Sequence, residues 1–318
     1  MPRRFFGFAI VLVVALACSH DDTASAHPRN VPSSPDDGVP PRPSVIAPSS
    51  QPYRVVAVSV GGTITGSVDF EGTVPIAAIV HPTSDQSACG TSVMVKNIAV
   101  TGTRVGGAVV WLTDIRTGKA LPVERRFELT NDACILDPYV QVISTSGTLN
   151  VSNDDRALHT NRFINVGTGQ IVGVAPFNDD GEVVPVDKFR EPAEIEVVCE
   201  QHPWTHAWIA VLDHPYFAQT TAAGTFSIDG IPAGKYRVRA WHPALGFADD
   251  SVTVTAGQQT SVAFRIRPSA TNGPAVPTQV PAESVRPAAS STTPAVPILP
   301  TASSTPLSSA PKGPPPPR

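Results

Sequence analysis

Short apolar, β-branched runs recur along this chain, and nowhere does a sustained helical period replace them. They lie at residues 63–68, 107–112, 140–143 and 195–199, then at 224–228, 234–241, 251–254 and 261–266. Gly, Asn, Asp and Pro clusters separate them, and Asp229-Gly230-Ile231-Pro232-Ala233-Gly234 reads as a turn between two strands. Runs of this length, bounded by turn residues, each bury a face in a β-sandwich. The pattern predicts an all-β chain of two sandwiches, over residues 55–213 and 214–268, meeting near Asp213-His214-Pro215. That length is enough for two modest cores.

The ends are of another kind. Arg3 and Arg4 precede an apolar run, residues 5–17, too short to cross a bilayer comfortably, so residues 1–17 read as a signal peptide. Ala15-Leu16-Ala17-Cys18 resembles a bacterial lipobox, in which Cys18 becomes the lipidated first residue. Cleavage after Ala24-Ser25-Ala26 is the alternative and would release the protein unanchored. Either way the chain is exported, to the periplasm or the cell surface. Residues 18–54 are rich in Pro, Ser and Asp, and the last 50 residues, 269–318, hold 13 prolines. Both are expected to be disordered, the first as a tether and the second as a tail, because they lack the apolar content that offsets chain ordering. The chain has 27 acidic side chains against 23 basic ones, of which Arg3 and Arg4 leave with the signal. No basic cluster or stripe exists, which argues against nucleic acid as a partner.

The chemistry concentrates in Cys199-Glu200-Gln201-His202-Pro203-Trp204-Thr205-His206. Cys199 closes an apolar run and His202 follows three residues later, so a thiolate and an imidazole can meet on one metal. Upstream, His159 follows the polar Asn153-Asp154-Asp155 and supplies a second imidazole. Two nitrogens and one sulfur in a trigonal set describe a blue-copper electron-transfer site, usually completed by a weak axial methionine. Met1 and Met94 are the only methionines, and neither lies in this loop. Zinc is the alternative cofactor: adding His206 makes four N and S ligands, which suits a tetrahedral ion. Against that, if a strand begins after Trp204, His206 and Trp208 share one face while Thr205 takes the other.

Cysteine counting agrees. With Cys18 lipidated, Cys89, Cys134 and Cys199 remain. A Cys89–Cys134 disulfide leaves Cys199, the one with a histidine three residues on, for metal. Closing that loop stabilises by roughly 3–4 kcal/mol in the chain-entropy model. A thiolate held by metal is also protected from oxidation. A buried, inert thiol is the alternative for Cys199.

Residues 153–159 and the Cys199-x-x-His202 loop resemble those of a cupredoxin, the plastocyanin-like fold. Residues 224–242, with Gly224-Thr225-Phe226, Ile231-Pro232-Ala233-Gly234-Lys235-Tyr236 and Ala240-Trp241-His242, resemble a carboxypeptidase regulatory-like (transthyretin-like) module. The junction through His202-Pro203-Trp204 to Asp213-His214-Pro215-Tyr216-Phe217 resembles exported bacterial proteins that join the two modules. The resemblance implies one copper on His159, Cys199 and His202. It implies a methionine after the Pro-Trp pair, where Thr205 stands instead, and it puts Thr205 on the axial side, His206 outward and Gln201 in the wrong place for an axial ligand. It makes His214 and His242 packing residues at the domain interface, with Trp204 and Trp208 covering the metal loop and filling the interface. His81 reads as a surface residue.

There is no Ser-His-acid set at recognisable spacing, no Gly-x-Ser-x-Gly, no His-Glu-x-x-His and no phosphate loop, so no enzyme is expected. Two readings follow. One is a copper-binding electron carrier with an altered axial site, a redox partner protein and a lipid anchor in the membrane. The other is a non-redox surface lipoprotein with a vestigial copper loop, binding cell-wall polysaccharide or acting as a spacer.

Overall fold

The computed structural model describes residues 41–268, apart from 96, 97 and 124. The expected signal peptide, Cys18, the first part of the expected tether and residues 269–318, expected as a tail, lie outside these residues. The chain is all β, as expected; its single described helix is the four-residue Gln86–Cys89. No described helix is long and apolar enough to cross a membrane.

Two sheets form the sandwich that carries the candidate site. The first has the order Val140–Ser144, His206–Leu212, Ala193–Cys199, His159–Asn165, Ile171–Phe177. The second has the order Ile135–Asp137, Arg126–Asp132, Thr148–Asn153, Val183–Val186. Leu129, Leu149, Val151, Phe163, Phe177, Ile195, Val197, Ile209 and Val211 fill the space between them. Ala193–Cys199 is a central strand covered on both faces, which explains an apolar run in which even Glu194 and Glu196 are buried.

The other sandwich is not contiguous in sequence, and this corrects the boundary expected near residue 213. Gly62–Phe70 pairs along its length, in parallel, with Gln259–Ile266 and antiparallel with Thr225–Ile231. Val109–Leu112 lies between Phe217–Gln219 and Gly234–His242. One core, with Ile64, Val68, Val105, Leu112, Tyr216, Val238 and Phe264, joins residues from both ends of the described chain. The sandwich that carries the candidate site is thus an insertion, its strands lying between Val109–Leu112 and Phe217–Gln219, two host strands that pair with each other. Periodicity marks a strand but not its partner, and parallel pairing over a long crossover leaves no local turn signal.

The two sandwiches pack through Val109, Trp111, Val140, Val142, Trp208, Leu212 and Trp241, with the Trp208 and Trp241 rings edge to face at 6.4 Å. Part of the expected tether belongs to this interface, a second correction. Ile46 is buried in it, Val45 N–H donates to Glu194 Oε2 at 2.8 Å, and Arg42 pairs with Glu196. One apolar residue with two buried carboxylate partners is enough to seat a segment whose composition reads as linker.

Candidate metal centre

The three proposed ligands come from adjacent strand ends. His159 opens its strand, and Asn161 pairs with Cys199, the last residue of the neighbouring strand. Residues 200–205 then form a tight loop closed by Thr205 N–H on His202 O (2.8 Å) and Cys199 N–H on Thr205 O (3.2 Å). This returns His202 over Cys199. Cys199 Sγ lies 3.4 Å from His159 Nδ1 and 3.7 Å from His202 Nδ1, and the two nitrogens are 3.2 Å apart. All three side chains are buried. A triangle with sides of 3.2, 3.4 and 3.7 Å has a point about 2.0 Å from every corner, close to metal–nitrogen bonds of about 2.0 Å and metal–sulfur bonds of about 2.3 Å. The three atoms fit one metal ion.

The electrostatics point the same way. Burial alone would push the His159 imidazole down, but its bonds to Asp155 and Cys199 raise it to about 9. Burial would push the Cys199 thiol up, yet His159, His202 and the backbone of Thr160 and His202 lower it to about 6. Without metal, the pair is an imidazolium and a thiolate at neutral pH. A cation that replaces the shared proton finds a ready thiolate and a ring nitrogen already aimed at it.

Outer partners hold these groups. His159 Nε2 lies 3.1 Å from Asp155 Oδ2, so the N–H is on Nε2 when Nδ1 serves as a ligand. His202 Nε2 lies 3.5 Å from both Cys89 Sγ and Asp85 Oδ2. The Trp204 ring leans on the His202 ring at 5.2 Å, and its Nε1–H donates to Cys134 O at 3.1 Å. Cys89 and Cys134 form the expected disulfide, and it lies directly against His202 of the candidate loop.

Thr205 is buried, and its hydroxyl donates to Cys134 O at 2.5 Å. His206 is not brought to the cluster. It pairs with Val198 on the opposite face, within 3.2 Å of Glu196 Oε1 and 3.0 Å of Pro203 O. The four-ligand zinc set therefore does not assemble around His206, because strand alternation turns it outward. Gln201 Oε1 reaches within 3.5 Å of Cys199 Sγ, while its Nε2 donates to Thr160. His214 is buried beside Tyr53 and Tyr216, His242 is buried against Tyr139, and exposed His81 meets Thr91 O. The sequence reading missed Asp155 and Asp85. Asp155 stands four residues before His159, a spacing that could have suggested it; Asp85 is near only in space.

The family model for polysaccharide lyase family 4, domain II, matches residues 168–262, less than a third of the chain, and crosses from the inserted sandwich into its host. No curated protein matches the sequence. Among solved structures, a copper-containing nitrite reductase from Thermus scotoductus is 18% identical over 37% of this chain and 25% of its own, with a TM-score of 0.26. This chain therefore spans about a quarter of that enzyme. A purple cupredoxin from Nitrosopumilus maritimus is 20% identical over 27% of this chain and 98% of its own, at 0.23. Auracyanin from Roseiflexus castenholzii is 11% identical over 28% and 98%, also at 0.23. Likenesses at these scores carry no chemical argument, and the case for a metal rests on the ligand geometry.

Proposed function

We propose that this is an exported copper-binding protein that carries single electrons and is not an enzyme. One ion would be held by His159 Nδ1, His202 Nδ1 and Cys199 Sγ. The observation that carries the reading is the buried triangle of these atoms, sized for a metal with two nitrogens and one thiolate. Copper bound there supplies a one-electron couple. The chain's own part is to hold the ligands in place and keep water away. Asp155 orients His159, the hairpin of residues 199–206 fixes Cys199 and His202, and Trp204 and the disulfide cover His202. Thr205 stands where the resemblance implies a methionine, and its hydroxyl donates to Cys134 O. A weakened axial group is expected to raise the potential.

The host sandwich, which resembles a carboxypeptidase regulatory-like module, is the mount, and lipidated Cys18 would hold the protein at a membrane within reach of a redox partner. Purified protein given Cu(II) should bind one copper with an intense visible thiolate-to-copper band, and Cys199→Ser should abolish that band. A band that survives Cys199→Ser would sink the assignment. Membrane fractionation of Cys18→Ser tests the anchor separately.

The polysaccharide lyase domain match favours a second reading, in which the chain binds cell-wall polysaccharide and the metal loop is idle. Retention on cell-wall polymer by a protein that gains neither copper nor thermal stability from it would select that reading.

A further inference from the structure

A second set of ligand atoms lies on the far side of His202. Cys89 Sγ, Cys134 Sγ and a ring nitrogen of His202 fall within 4.8 Å of one another, and all three residues are buried. The nitrogen is Nε2, 3.5 Å from Cys89 Sγ, whereas Nδ1 faces Cys199. The two nitrogens of one imidazole therefore look into two separate clusters. Asp85 Oδ2 stands 3.5 Å from the same Nε2, with its side chain 43% exposed, so a carboxylate links the inner cluster to solvent.

We propose that opening the Cys89–Cys134 disulfide makes this cluster a second metal site, for a soft cation of the Cu(I) class, with His202 shared between the two sites. Thiolates paired with imidazole select such cations. Cys134 is held independently of its sulfur: its N–H donates to Asp155 Oδ2 (2.9 Å), and its carbonyl accepts from Trp204 Nε1 and Thr205 Oγ1. Cys89 sits at the end of a short helix in a flap whose strands, Ile79–Val80 and Val93–Met94, pair only with each other. No other described strand pairs with this flap, which is held by buried Val93 beside the disulfide and by Asp85 at His202. Its local opening gives a reductant access to the buried bond. The reductant is a dithiol. Its thiolate attacks one sulfur, the S–S bond breaks, and a mixed disulfide forms. Its second thiol then releases the chain, so that two electrons and two protons end on Cys89 and Cys134 and the reductant leaves as its own disulfide. Cation binding displaces the two thiol protons to solvent.

The test uses the full chain with Cys18→Ser and Cys199→Ser, so that Cys89 and Cys134 are the only cysteines and a failure of the electron-transfer reading does not affect the outcome. Cd(II) is the probe, read by its ultraviolet thiolate band and by equilibrium dialysis, without oxygen, before and after reduction. The oxidised protein should show no band. The reduced protein should bind one Cd(II) per chain, with a band that Cys89→Ser removes. His202→Asn should weaken binding at least about tenfold, because losing a ligand costs more than losing an outer partner. The proposal is overturned if reduction brings no band or if cooperative melting is lost on reduction. It is also overturned if Cys89→Ser binds as tightly as before, which would move the cation to Cys134, Asp155 and His159.

Discussion

Asp155 Oδ2 lies 3.1 Å from His159 Nε2, and the same oxygen accepts the Cys134 N–H at 2.9 Å. One carboxylate oxygen therefore orients a candidate ligand and seats one half of the disulfide. Asp155→Ala is expected to lower metal affinity by roughly 10–100-fold and, by leaving buried donors unpaired, to cost about 1–3 kcal/mol of stability. Asp155→Asn keeps an acceptor and should do less. Competition titration and urea unfolding measure both, and an unchanged affinity would remove Asp155 from the site.

The His159–Cys199 pair has an unusual pH signature. The raised His159 adds stability below about 6.5 that is lost as pH rises through about 9. The lowered Cys199 adds stability above about 9 that is lost as pH falls through about 6. Between about 6.5 and 9 the folded pair holds one proton, on His159, and the unfolded chain also holds one, on Cys199, so the opposite slopes cancel. The pair should leave metal-free stability level across that window. Metal binding there should still release about one proton, from His159. Calorimetry in buffers of different ionisation enthalpy counts it, and no release would mean that the metal does not displace the proton held by His159 and Cys199.

His214 and His242 act differently. Burial lowers each to about 4, so both stay neutral in the fold while the unfolded chain takes up protons below about 6.5. Stability should fall as pH drops from about 6.5 to 4, by about 3 kcal/mol for each histidine. Urea midpoints across that range should flatten in the His214→Asn, His242→Gln double variant.

Trp241 is buried in the joint between the sandwiches and meets Trp208 edge to face. Trp241→Ala is expected to cost about 3–5 kcal/mol with little change in metal affinity, because no candidate ligand touches it. Melting temperature and copper titration on the same sample separate the two effects.

Ala133 and Cys134 occupy consecutive left-handed positions, with φ of 50° and 56°, at the tip of the Arg126–Asp132 and Ile135–Asp137 hairpin. Glycine is the natural occupant of the first. Ala133→Gly should raise stability by up to about 1 kcal/mol, the strain relieved less the entropy that glycine adds to the unfolded chain.

The ligand triangle was legible because Cys199 and His202 share a loop and His159 follows a distinctive polar run. The disulfide followed from counting. The outward turn of His206 was written in strand alternation. What could not be read was who stands beside whom. Asp85 and Cys89 meet His202 only through tertiary packing, and Gly62–Phe70 finds a partner at the far end of the described chain. Ile46 looked like linker because its two carboxylate anchors, Glu194 and Glu196, lie in a distant strand and bind its neighbours Val45 and Arg42.

The insertion has a consequence for synthesis. Every strand of the ligand-bearing sandwich lies between residues 126 and 212, so that half can close while the chain is still emerging. Gly62–Phe70 is made first of its sheet yet must wait for Gln259–Ile266, the last strand among the described residues. Until then it is a bare template edge, open to any other extended segment nearby. The half that carries the candidate ligands is finished early, and its host sandwich is completed only by the last described strand.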